Sequence, residues 1–199
     1  MSTATQTHPM TPRWWILVAG IGILLIQIAV PGFMILDRIS LLTSGREITI
    51  KTQPRDPRDM FKGDYVVLNY PITQIDTAGV TAPEETLYKG DEVYAVIVPK
   101  DGDAWSVISL GREKPDQVTG EQVVLMARVE KAYGDKDSRK VTLHYGIESY
   151  YIPEGTGKAL EDKVRDGSLS VIVAVSDAGL AAIKGLVIDG ERVYDEPLF

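Results

Sequence analysis

Between Gln53 and Tyr70 the chain runs QPRDPRDMFKGDYVVLNY, which crowds Asp56, Arg58, Asp59 and Asp64 around two prolines. Carboxylates of this kind suit two sorts of chemistry. Held about 5–9 Å apart beside a cleft, a pair of them carries out acid–base hydrolysis. Joined to arginine, they tie down a loop or offer a polar handle to another molecule. Asp56, Asp59, Asp64 and the distant Glu148 are the candidates for hydrolysis, but nothing in their spacing sets a separation in space. The plainer expectation is a loop fastened by Arg–carboxylate pairs and aspartate turn caps. No Ser, Thr or Cys stands between Gln53 and Gly63 to serve as a nucleophile there. Cysteine is absent and the only histidines are His8 and His144, which removes thiolate chemistry, disulfides and cysteine-rich or multi-histidine metal sites. His144 is expected on the outer face of a strand with Thr142 and Glu148. Four residues of extended chain put His144 and Glu148 ~13 Å apart, too far for a direct catalytic pair.

The elements that must position these groups are legible from the backbone chemistry. Pro54 and Pro57 push Gln53 and Asp56 toward extended conformations, so a stiff, exposed turn is expected rather than a helix. Gly63 supplies the permissive backbone from which a strand starts. Asp64, Val66, Leu68 and Tyr70 should share one face of it, and Tyr65, Val67 and Asn69 the other, until Pro71 stops it. Phe61-Lys62-Gly63-Asp64-Tyr65-Val66 is echoed by Tyr88-Lys89-Gly90-Asp91-Glu92-Val93, so aromatic-Lys-Gly-Asp reads as this fold's way of entering a strand.

Gly63-Asp64-Tyr65-x-x-Leu68-x-Tyr70 resembles, without a gap, the motif that names the GDYXXLXY family of membrane-anchored bacterial proteins of unknown function. Asp56-Pro57-Arg58-Asp59 upstream is similar to that family as well, and so is the run from Gly146 through Glu148, Tyr151 and Glu154 to Gly155. Tyr151 and Ile152 replace an expected phenylalanine and valine. The resemblance implies a single-pass protein of the bacterial cytoplasmic (inner) membrane, with its soluble domain on the periplasmic or extracellular side. It also implies a polytopic membrane protein as partner, because members are often encoded beside one. A second resemblance is to type I signal peptidases, which also follow one anchor and a proline-containing loop with Gly-Asp-x-Val. Their serine, however, has no counterpart in Pro54-Arg55-Asp56-Pro57-Arg58.

Residues 1–12 are polar, carry Pro9 and Pro12, and are expected to form a disordered cytoplasmic tail. Trp14 to Leu36 then runs 23 residues without a charge. As a helix this reaches ~34 Å, enough for a hydrocarbon core of ~30 Å. Residues 13–36 are therefore expected to span a membrane, with Trp14 and Trp15 at the interface and Pro31-Gly32 kinking or ending the helix. Gly20 and Gly22 lack GxxxG spacing. The length of the run and the following Met34-Ile35-Leu36-Asp37-Arg38 argue against a cleaved signal peptide. Arg38, Arg46, Lys51, Arg55 and Arg58 outnumber Arg13, so the charge count alone would keep the domain inside; the family resemblance points the other way. A short helical continuation over Asp37 to Leu42 and a break at Thr43-Ser44-Gly45 make residues 37–45 a linker.

Residues 46–199 remain for one soluble domain. The chain's net charge is −7 and Arg13 is the only charge before the apolar run, so residues 37–199 carry −7 − 1 = −8. An acidic domain without a basic cluster argues against nucleic acid as a partner. Strand patterns follow one another: Ile48 and Ile50 alternating with polar residues; Val93 to Val98, central in a sheet; Trp105 to Leu110 after a turn at Pro99–Asp103. Val123, Leu125, Ala127 and Val129 should face inward, as should Val141, Leu143, Tyr145 and Ile147 on the returning strand. Asp101-Gly102-Asp103 lacks the remaining ligands of a calcium loop, and Gly155-Thr156-Gly157 lacks a phosphate-loop lysine. Thr156 instead caps a helix over about Lys158 to Asp166, with Leu160 and Val164 on one face and Lys158/Asp162 and Glu161/Arg165 as solvent pairs. Leu169 to Val175 and Leu180 to Ile188 are strands, although Ala181-Ala182-Ile183-Lys184 would also suit a helix. Asp189-Gly190 turns the chain into Val193-Tyr194.

The fold expected is mainly β: one N-terminal transmembrane helix plus an antiparallel β-sandwich or partly open barrel with one short α-helix. The function expected is that of a non-catalytic, membrane-anchored domain that needs no cofactor or metal and docks onto an integral membrane protein. Its candidate docking residues are Asp56, Pro57, Arg58, Asp59, Gly63, Asp64, Tyr65, Leu68, Tyr70, Glu148, Tyr151 and Glu154, with Arg58 reaching Glu148 if their segments meet. A ligand- or ion-binding sensor is the alternative reading, and a carboxylate-dependent hydrolase a third.

Overall fold

In the computed structural model the described residues are 14–53, 65–83, 86–100, 103–135, 138–151, 163–164 and 166–196. The chain divides into two compact units, residues 1–39 and 40–199. One helix, α1 (Trp14–Ser44), supplies the described part of the first and enters the second. Gln27 apart, it is apolar on every side from Ile16 to Leu36, and its large apolar side chains there are all exposed. Among the described residues it is the one helix long and apolar enough to cross a membrane. Pro31 lies inside it rather than at its end, and the linker expected over 37–45 is helical as far as Ser44.

The second unit is mainly β and antiparallel. Its strands are β1 (Arg46–Lys51), β2 (Tyr65–Val67), β3 (Gln74–Asp76), β4 (Glu92–Pro99), β5 (Trp105–Gly111), β6 (Val123–Asp135), β7 (Ser138–His144), β8 (Ser149–Tyr151), β9 (Leu169–Val175), β10 (Ala181–Ile188) and β11 (Glu191–Asp195). They form a four-stranded sheet β1-β9-β10-β11, a five-stranded sheet β3-β7-β6-β4-β5 and the separate pair β2-β8. The larger sheets make a half-barrel and a second sheet.

Period-two alternation decides which face each strand buries. Ile48 and Ile50 of β1, Val93, Ala95 and Ile97 of β4, Leu125, Ala127 and Val129 of β6, and Val141 and Leu143 of β7 all enter one core, where they meet Val171 and Val173 of β9. Every residue of β9 is buried, as its β-branched composition demands of a strand covered on both faces. Residues 181–184 are strand, not helix, because Ala182 pairs with Ala174 and Ile183 with Val173 in register. Asp189 (φ 52°) and Gly190 (φ 86°) both sit at positive φ in the two-residue turn that joins Ile188 to Glu191, the geometry of a tight hairpin.

The two large sheets are laced together at their borders. The Trp105 indole N–H donates to Thr49 O (2.7 Å), the Lys51 amide to Asp103 O (2.9 Å) and the Met126 amide to Gly179 O (2.7 Å). Asp103 thus acts through its backbone and as acceptor for Ser170 Oγ, as a turn residue does. The last turn of α1 packs onto the outer side of the four-stranded sheet, where Leu41 and Leu42 are buried with Ala174 and Ala182. Gly45 closes that turn, and a Cβ there would stand 2.5 Å from Leu41 O. Of the helix expected near 158–166, Lys163 and Val164 are helical and Val164 reaches the core; residues 158–162 and Arg165 lie outside the described residues.

Candidate functional site

The second aromatic-Lys-Gly-Asp run displays the strand-entry chemistry in full. Gly90 has φ +96°, Asp91 Oδ2 accepts the Tyr88 amide at 2.9 Å, and β4 begins at the next residue. The Arg112 guanidinium reaches the same oxygen at 2.7 Å. The hydrogen bond from the Tyr88 amide, partly opposed by desolvation and then reinforced by Arg112, lowers the Asp91 pKa from its ordinary carboxylate value. In the first run, β2 begins at Tyr65, which occupies the place of Glu92.

β2 is shorter than expected, three residues rather than seven, yet the alternation persists beyond it. Leu68 and Tyr70 are buried and Val67 is exposed. The partner of β2 is β8, with Tyr65 opposite Tyr151, Val66 opposite Tyr150 and Val67 opposite Ser149. The two segments singled out in the sequence are therefore adjacent strands. Beyond the pair, the Leu68 amide donates to Glu148 O (2.8 Å), and the Gln53 amide to Asn69 O (2.7 Å).

At the end of β7 the geometry departs from the extended chain assumed for His144 and Glu148. The strand stops at His144, Gly146 turns at φ +83°, and Glu148 folds back on the turn. Glu148 Oε1 accepts the Tyr145 amide (2.6 Å), and Oε2 accepts the Gly146 amide (2.9 Å) and lies 2.8 Å from His144 Nδ1. The ~13 Å separation expected for a straight strand is thus overturned by one glycine. The signal was present in the sequence, since a glycine followed two residues later by a carboxylate is turn chemistry. His144 itself is outward, as expected, with 56% of its side chain exposed.

Two buried tyrosines clamp this turn to the segment after β2. Tyr70 OH donates to Ile147 O (2.6 Å) and Tyr145 OH to Ile72 O (2.8 Å). Burial pushes both phenols well above their usual range, and the Glu148 carboxylate pushes in the same direction. On β8, Tyr150 OH donates to Glu196 Oε2 (3.0 Å) and its ring meets Tyr194 edge to face with centroids 5.6 Å apart. Burial is the first cause of its raised ionisation, followed by the hydrogen bonds to Glu196 and Tyr194. Tyr145 was expected inward, but the partners of Tyr145, Tyr194 and Glu196 were not legible in the sequence, because they lie tens of residues away.

Leu68, Tyr70 and Glu148 are thus brought together. Tyr65 and Tyr151 are opposite each other in the backbone register. Asp56, Pro57, Arg58, Asp59, Gly63, Asp64 and Glu154 lie outside the described residues, and the Arg58–Glu148 contact with them. Among the described residues no group of three or more His, Cys, Asp or Glu is placed to hold a metal ion. Within the described cluster the Glu148 carboxylate accepts the Tyr145 and Gly146 amides and faces His144 Nδ1, and the hydroxyls of Tyr70 and Tyr145 donate to backbone carbonyls.

No curated protein and no solved structure matches the chain. Residues 27–186 match the model of the family described as GDYXXLXY protein. That match takes in the second half of the helix, both motif strands and both large sheets as far as Leu186 in β10, and the chain is a member of the GDYXXLXY family.

Proposed function

We propose that the protein is a non-catalytic, membrane-anchored accessory domain, held on the outer side of a bacterial cytoplasmic membrane by α1, that docks onto a polytopic membrane protein through residues 54–64 and β2. The observation that carries this reading is the anchoring of both flanks of that segment. On one side Gln53 is bridged to Asn69; on the other, β2 is paired with β8 and continues into buried Leu68 and Tyr70. A charged segment whose flanking residues are fixed to a rigid frame is suited to recognition. The inward commitment of Tyr70, Tyr145 and Glu148 supports a scaffold rather than a reaction centre, and the encoding of family members beside polytopic membrane proteins supports the choice of partner.

The test is capture from membranes solubilised in mild detergent, with the full chain as bait. The expected result is co-purification of an integral membrane protein, lost on Arg58→Ala and retained on substitution of an exposed β7 residue such as Lys140→Ala. Equal recovery with the wild type and Arg58→Ala would remove Arg58 from the interface. Turnover of any substrate that depends on Asp56, Asp59 or Glu148 would end the non-catalytic reading.

A further inference from the structure

We propose that α1 pairs in parallel with the α1 of a second copy of this chain through a hydrogen-bonding node at Gln27, an inference that rests on α1 spanning a membrane. From Ile16 to Leu36, Gln27 is the only side chain that carries a nitrogen or oxygen. It is exposed on the helix and lies near the middle of the uncharged run Trp14–Leu36, hence near the bilayer midplane. No water satisfies a primary amide at that depth.

The backbone adds a second polar atom at the same residue. A regular helix gives the carbonyl of residue 27 the N–H of residue 31. Residue 31 is Pro31, inside the helix, with no N–H and a ring that crowds that carbonyl. Gln27 therefore presents a side-chain amide and a main-chain acceptor deprived of its regular donor.

Gly20 lies seven residues earlier, two turns away on the same face. A Cβ at Gly20 would meet nothing within 4 Å, so the fold of a single chain does not call for glycine there. Glycine weakens a helix relative to alanine, yet a bare backbone lets a second helix approach closely.

The self-complementarity of the amide selects the second copy as occupant. A primary amide is donor and acceptor at once. All copies insert with one topology, and in a parallel two-fold pair each residue faces its own equivalent. Gln27 then meets the partner's Gln27 at equal depth, and each NH2 donates to the amide oxygen or the freed carbonyl across the interface. A helix of a different protein would need to supply a hydrogen-bonding group at that same depth.

The experiment uses the full chain, labelled at its amino terminus with donor or acceptor dye, in phosphatidylcholine vesicles. Flotation reports insertion, and energy transfer over falling protein-to-lipid ratio reports pairing. The wild type is expected to float and to show transfer that persists on dilution with lipid. Gln27→Leu should float equally and lower the association constant about three- to thirtyfold. Gly20→Leu should weaken pairing too, while Leu25→Ala, on the opposite face, should not. A floating wild type without transfer above the random level, or Gln27→Leu with undiminished transfer, overturns the pairing and leaves the anchor standing. A chain that stays out of the vesicle fraction overturns both.

Discussion

Glu148 is held by donors that all come from within four residues of it, the amides of Tyr145 and Gly146 and the ring of His144. Its removal strands two amides at the place where the β7 turn meets Leu68. Glu148→Ala is expected to destabilise the domain by about 1–3 kcal/mol, with Glu148→Gln losing less because an amide oxygen still accepts. Urea denaturation of a fragment beginning at Ser40 measures this, and an unchanged midpoint for Glu148→Ala would show that the turn holds without its carboxylate. Tyr70, Tyr145 and Tyr150 make a prediction with a definite sign. Each is harder to ionise in the folded state than its free value of about 10. Their contribution to stability is therefore complete below about pH 10 and is lost as pH rises beyond it, because only the unfolded chain releases the protons. Alkaline titration should show part of the phenolate absorbance of the nine tyrosines appearing together with unfolding measured by circular dichroism. A smooth phenolate titration completed before unfolding would contradict the buried, bonded state of these hydroxyls.

At the level of elements, the turn into β4 is the clearest unit. The Asp91 carboxyl is depressed chiefly by the Tyr88 amide. A depressed carboxyl adds stability above its ordinary value of about 3.9 and loses it as pH falls through the folded value. The difference in thermal midpoint between the wild type and Asp91→Asn should accordingly be open at neutral pH and close in acid; a gap independent of pH would assign the effect to shape instead of charge. The strands themselves were legible because burial follows a period of two, and Val123, Leu125, Ala127 and Val129 could be assigned inward from the sequence alone. Residues 181–184, read as strand with helix as the alternative, are strand because they pair with β9. Two features escaped. β2 is brief because Asn69 leaves the β8 ladder for a bridge to Gln53, a long-range choice with no local mark. The closeness of His144 and Glu148 was missed by extending a strand through Gly146.

Across the whole molecule, the sequence separated an apolar stretch from a β-rich remainder, but it placed their boundary by charge rather than by packing. The folded unit starts at Ser40, inside the helix, because Leu41 and Leu42 bury against Ala174 and Ala182. Nothing in a helix end tells which distant alanines will receive it, so this seat could not be anticipated. Leu41→Ala combined with Leu42→Ala should cost about 2–4 kcal/mol, at the low end for two buried leucines because the patch is small. Differential scanning of fragments beginning at Ser40 and at Arg46 provides an independent measure, with the shorter one melting earlier. Equal melting of the two would show that the helix end is a bystander. The seat also bears on release of the domain. Between Leu36, where the uncharged run ends, and Ser40, only Asp37, Arg38 and Ile39 are left, and all three are helical. Proteases thread their substrates as extended chain, so, with the domain facing outward as proposed above, a sheddase has three wound residues in which to cut without spoiling what it frees, and the expected outcome is a tether that resists shaving from intact cells.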